Sequence, residues 1–194
     1  MKPIRVLLLL SLFGHLMLAA QDESCSDVMT TSLSSVTFLQ EQQDVRESPC
    51  IVRVIKQLGL VRDVGAVHTL VGYLDFVDPA TRPRPDGSSD VRPAYPAVEA
   101  LFRIGKAATI ELLSAIQYGK SPIARENAAK AFQAIYRDDL ATAIHLVRNE
   151  ELASSSAIGQ RRLQEVLHLL IEDCSGRTKD EAESCRAVLQ ANRN

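Results

Sequence analysis

Residues 97–148 read AVEALFRIGKAATIELLSAIQYGKSPIARENAAKAFQAIYRDDLATAIHLVR, and they state the same phrase twice. Ala97-Val98-Glu99-Ala100-Leu101-Phe102-Arg103-Ile104 returns 31 residues later as Ala128-Ala129-Lys130-Ala131-Phe132-Gln133-Ala134-Ile135. A second apolar helical pattern follows each copy, over residues 110–116 and then 140–147. Two amphipathic helices recurring at a fixed interval predict an α-solenoid, because one helix pair cannot bury its apolar faces without a neighbour.

The phrase also extends backwards. Ser48-Pro49 opens a helix with Ile51, Val54, Ile55 and Leu58 on one face and Gly59 as its stop; Val67, Leu70, Val71 and Leu74 form the stripe of its partner. Asp44-Val45-Arg46 and Leu58-Gly59 precede Asp90-Val91-Arg92 and Ile104-Gly105 by 46 residues. The longer interval is taken up by residues 78–96, DPATRPRPDGSSDVRPAYP, which hold five prolines and the turn signal Asp86-Gly87. This is a loop between repeats carrying Arg82, Arg84 and Arg92. A loop of that length in a compact array is either functional or a disordered spacer.

Forward of the central stretch, Gly119 closes a helix and Ser121-Pro122 opens the next. Ile135 ends that helix, and Asp138 or Asp139 caps its successor. Residues 154–156 connect to a fourth unit with Leu163, Val166, Leu167 and Leu170 on one stripe. Gly176 stops it, and Thr178-Lys179-Asp180-Glu181 is a capping box for a last helix. Residues 22–43 are rich in serine and threonine, poor helix formers, and read as an irregular cap with at most one helix.

The first 20 residues read as a secretory signal: Lys2 and Arg5, an apolar run from Val6, then Ala19-Ala20. A retained membrane anchor is disfavoured, since the run is shorter than a span and His15 interrupts it. Loss of Lys2 and Arg5 takes the formal net charge from −2 to −4, which counts against nucleic acid as partner, since phosphate binding needs a basic face. The expected organisation is signal peptide 1–20, cap 21–47 and repeat domain 48–194, secreted or periplasmic.

Cys25, Cys50, Cys174 and Cys185 are an even set in a chain read as secreted, which argues for disulfides over metal, as no C-x-x-C pair occurs. Three pairings are possible. Cys174 continues the stripe of Leu170, and Cys185 lies three residues from Ala182 and Val188, which pairs Cys174 with Cys185 and leaves Cys25 with Cys50.

The residues quoted for the repeats resemble the HEAT-repeat family, especially its short bacterial-type repeats, over about residues 44–172. The resemblance implies a right-handed α-solenoid of about four helix pairs whose second helices line a concave binding surface. Most such proteins are binding scaffolds; a few related helical-repeat proteins are enzymes, including chromophore lyases and DNA glycosylases. Secretion and four cysteines depart from the usual cytosolic members.

No catalytic constellation emerges from the residues themselves. His68, His145 and His168 belong to different units and lack chelating spacing. No G-x-S-x-G elbow and no phosphate-cradling glycine cluster is present. Glu150-Glu151 and Asp138-Asp139 stand at helix ends, where carboxylates cap or remain solvated. The expectation is therefore a non-catalytic scaffold for a protein or peptide, with no cofactor and no metal. Its contact residues would be the loop arginines and a shallow groove of His68, Glu111, Ser114, Thr142 and His145. The alternative is a lyase or hydrolase using His145.

Overall fold

The computed structural model describes residues 25, 27–46, 50–81, 92, 94–175 and 187, and every structural statement below concerns these. The signal segment, Arg82 and Arg84, the last helix and Cys185 lie outside them. The described chain is all-helical, without a strand. Its α-helices are α1 (Ser32–Gln42), α2 (Cys50–Leu60), α3 (Val67–Val71), α4 (Pro96–Ile104), α5 (Thr109–Tyr118), α6 (Pro122–Ile135), α7 (Leu140–Ala153) and α8 (Ala157–Ser175).

The serine- and threonine-rich start is more ordered than its propensities imply. Thr31 Oγ1 accepts from the Ser34 amide at 3.0 Å while Ser34 Oγ accepts from the Thr31 amide at 3.1 Å, a reciprocal cap that starts α1. The Ser34 and Ser35 hydroxyls both donate to the Val28 carbonyl, so poor helix formers serve at the helix entry. Leu39 anchors α1 in the core, and its carbonyl accepts from the buried Tyr73 hydroxyl at 2.6 Å. Burial raises the Tyr73 phenol above its ordinary range, while Arg46 pulls the other way. Arg46 takes a left-handed backbone, φ 51°, and is held there by Asp75, the Gly72 carbonyl and the Tyr73 ring. Cys25 and Cys50 are disulfide-bonded and almost fully buried.

Gly59 does not end α2, which runs one residue further and buries that glycine. A Cβ at Gly59 would lie 2.6 Å from Ala100 Cα, so the absent side chain lets α2 and α4 approach closely. Gly105 is the genuine stop, with φ 80° at the end of α4. The partner helix α3 is shorter than the stripe implies: Val67 and Leu70 are buried within it, Val71 is half-buried, and Leu74 is buried in the turn beyond. Ile110, counted in the apolar pattern of residues 110–116, is 80% exposed; the core face of α5 is Leu112, Leu113, Ala115 and Ile116.

The two copies of the central phrase bury matching positions. Ala97, Ala100 and Leu101 in α4 correspond to Ala128, Ala131 and Phe132 in α6, all in the core. Small alanines at these positions let α4 lie against both α2 and α6. Helix α5 packs on α6, and α7 on α8. The helix in close backbone contact with α5 beyond α6 is α8, whose stripe of Leu163, Val166, Leu167, Leu170 and Cys174 is buried. Cys174 is disulfide-bonded; its expected partner, Cys185, is outside the described residues.

Caps read from sequence hold their ends. Ser121 accepts from the Ala124 amide, and Asp139 accepts from the Thr142 amide. Lys106 bonds the Asp139 carboxylate at 2.9 Å, and together with Thr142 it holds that carboxyl below its ordinary range. A lowered folded-state pKa stabilises the fold above the ordinary carboxylate range and is lost as pH falls through the lowered value. Asp139→Ala is expected to cost about 1 kcal/mol at neutral pH. That deficit should shrink as pH falls below the ordinary carboxylate range and the wild-type carboxylate protonates. Paired melts of variant and wild type across this range check it; a pH-independent deficit would contradict the ionic part.

Candidate functional site

The predicted groove residues separate into two groups. His68 on α3 and Glu111 on α5 meet, Nδ1 to Oε2 at 3.2 Å, and link those helices at the surface. Ser114 is exposed one turn beyond Glu111 on α5. Thr142 and His145 are exposed on α7, whose close packing is with α8. His145 Nε2 lies 3.1 Å from the amide nitrogen of Asn149, which donates to it, and Asp139 engages the Thr142 backbone. His168 pairs with Glu172 on its own helix. Among the described residues no group of three or more His, Cys, Asp or Glu is placed to hold a metal ion.

Arg92 is drawn back onto the fold. Its guanidinium stacks on Phe102 at 4.8 Å and lies 3.8 Å from Glu99, so it covers an aromatic ring that would otherwise face water. The base of the proline-rich loop is closed where the Asp78 amide donates to the Ala94 carbonyl at 2.9 Å. Asp78 is itself buried, its two carboxylate oxygens bonded to Lys56 and to the Ala80 amide.

A groove that sequence reasoning did not single out lies between α2 and α4. Lys56 and Leu60 border it from α2, one turn apart, and Pro96, Glu99, Ala100 and Arg103 from α4. It encloses about 210 Å³. Its construction follows from Gly59: the close approach at Ala100 sets the two helices side by side, and the next residue, Leu60, is left 60% exposed. Lys56 pairs with Asp78 at 3.0 Å and Arg103 with Glu99 at 2.7 Å, so each cation stands beside a carboxylate at the groove. The sequence signal was an aliphatic residue directly after Leu58-Gly59, one position off the apolar stripe.

Comparisons with protein-family models, with curated proteins and with solved structures give no match. No family is therefore assigned. Among the described residues no helix is long and apolar enough to cross a membrane.

Proposed function

We propose that this chain is a secreted or periplasmic binding scaffold built from HEAT-like helix pairs stacked as a right-handed solenoid, and that it holds a protein or peptide without catalysing a reaction. The observation that carries the reading is the matched burial of Ala97, Ala100 and Leu101 with Ala128, Ala131 and Phe132 in neighbouring helices. Repeated units of that kind spend their apolar residues on each other and leave long helix surfaces for a partner. The buried Cys25–Cys50 disulfide supports an oxidising compartment, since such bonds persist outside the cytosol. The α2–α4 groove, at about 210 Å³, is smaller than the ~300–1,000 Å³ of small-molecule pockets, which suits a peptide side chain. His145 engages an amide of its own helix, which supplies no nucleophile–base pair.

Crosslinking and pull-down of the full chain from the cell that secretes it tests the proposal. A reproducible, saturable partner is the expected result. Absence of any partner at stoichiometric crosslinking would remove the scaffold reading.

A further inference from the structure

We infer that the α2–α4 groove docks an acidic peptide segment, one that presents an aliphatic side chain between two carboxylates. The inference rests on the scaffold reading and names the chemistry of its ligand.

Three observations carry it. First, Leu60 is 60% exposed beside Pro96 and Ala100, and burying such a side chain under a partner removes apolar surface from water. Second, two cations flank that apolar floor with donors to spare. Asp78 takes one Lys56 donor, and the Lys56 side chain remains 54% exposed; Glu99 takes the Arg103 Nε, and that side chain remains 46% exposed. Their carboxylate partners bias them toward the groove, which lowers the ordering cost on binding. A guanidinium whose Nε is occupied still offers its terminal nitrogens to an incoming carboxylate. Third, about 210 Å³ in an open groove suits one inserted side chain rather than a whole metabolite. Glu99 lines the groove beside Arg103, which disfavours a polyanion such as nucleic acid or an anionic membrane, whose negative charge is continuous. It also selects ligands whose charges are separated, reaching Lys56 and Arg103 while an apolar group rests on Leu60 and Ala100.

The test uses the full chain with its disulfides intact and an acetylated, amidated hexapeptide carrying one leucine between two glutamates. Titration followed by ¹H–¹⁵N spectra should give saturable shifts at Leu60, Ala100 and Arg103, with a dissociation constant of ~1 mM or tighter. A peptide with glutamines in place of the glutamates should bind about tenfold more weakly. Raising salt should weaken the glutamate peptide selectively. Leu60→Asp and Arg103→Gln should each lose binding about tenfold or more while leaving the melting temperature within about 2 °C of wild type; Leu60→Ser serves if Leu60→Asp shifts it further. Equal affinity for the two peptides, unaltered affinity in the variants, or no shift at millimolar peptide overturns the inference. So does self-association of the chain that Leu60→Asp abolishes, because a second copy would then fill the groove. Failure of the two readings is distinguishable. A cellular partner captured equally by wild type and Leu60→Asp removes the groove and leaves the scaffold, whereas no partner removes the scaffold.

Discussion

Phe132→Ala is expected to destabilise the protein by about 3–5 kcal/mol, and Phe102→Ala by only about 1 kcal/mol. The two phenylalanines stand in the two copies of one phrase, one position out of step: Leu101-Phe102 in the first, Phe132-Gln133 in the second. Burial follows the repeat position and not the residue type. Leu101 and Phe132 are both fully buried, whereas Phe102 lies half-exposed beneath Arg92. Phe132 also contacts the Tyr136 ring at 4.9 Å, and Tyr136 shares a hydrogen bond with Thr109 at 2.8 Å. Truncation would thus empty the seam between α5 and α6. At about 2–4 °C per kcal/mol for a chain of this size, Phe132→Ala should lower the melting temperature by roughly 6–20 °C. Similar losses for both variants in thermal melts would mean that the copies do not occupy equivalent places.

Removing the Cys25–Cys50 bridge, as the Cys25→Ala/Cys50→Ala double variant, is expected to cost about 3–3.5 kcal/mol. The bond closes a 25-residue span, and the chain-entropy treatment assigns a loop of that length this order of stabilisation. Its loss should concentrate at the N-terminal side, because the bridge ties the segment before α1 to the start of α2. Amide exchange should quicken in α1 and at the Tyr73–Leu39 contact and change little in α6. A melting temperature within about 1 °C of wild type would show that Arg46 and Leu39 hold the N-terminal segment unaided.

The helices were legible because they rest on local periodicity: alanines at 97, 100, 128 and 131 mark where helices approach, whatever the neighbour is. Caps at Ser121 and Asp139 were legible for the same reason, since a cap is closed within three residues. Features that depend on a partner helix were not. Gly59 looked like a stop, because a glycine ending an apolar pattern usually is one; its role needs Ala100, which is 41 positions away. Ile110 looked like core, because an apolar residue at the edge of a helix does not reveal its phase. The α1 segment looked irregular because its serines and threonines lower average propensity, while the reciprocal Thr31–Ser34 cap acts at one point. The candidate site suffered most. His68 and Glu111 do meet, but the α2–α4 groove joins residues from two helices distant in sequence and is defined by a side chain that is missing.

The groove exists only if α2 and α4 meet at Gly59 and Ala100, and the same contact sets the two helices side by side. A Cβ built on Gly59 would lie 2.8 Å from Ala100 Cβ, so a glycine α-proton must sit almost against the alanine methyl. The direct measurement is a proton–proton Overhauser contact between Gly59 Hα and the Ala100 methyl group in the folded, oxidised protein. The stacking described here predicts a strong cross-peak between them. A well-resolved spectrum with both resonances assigned and no cross-peak would contradict it.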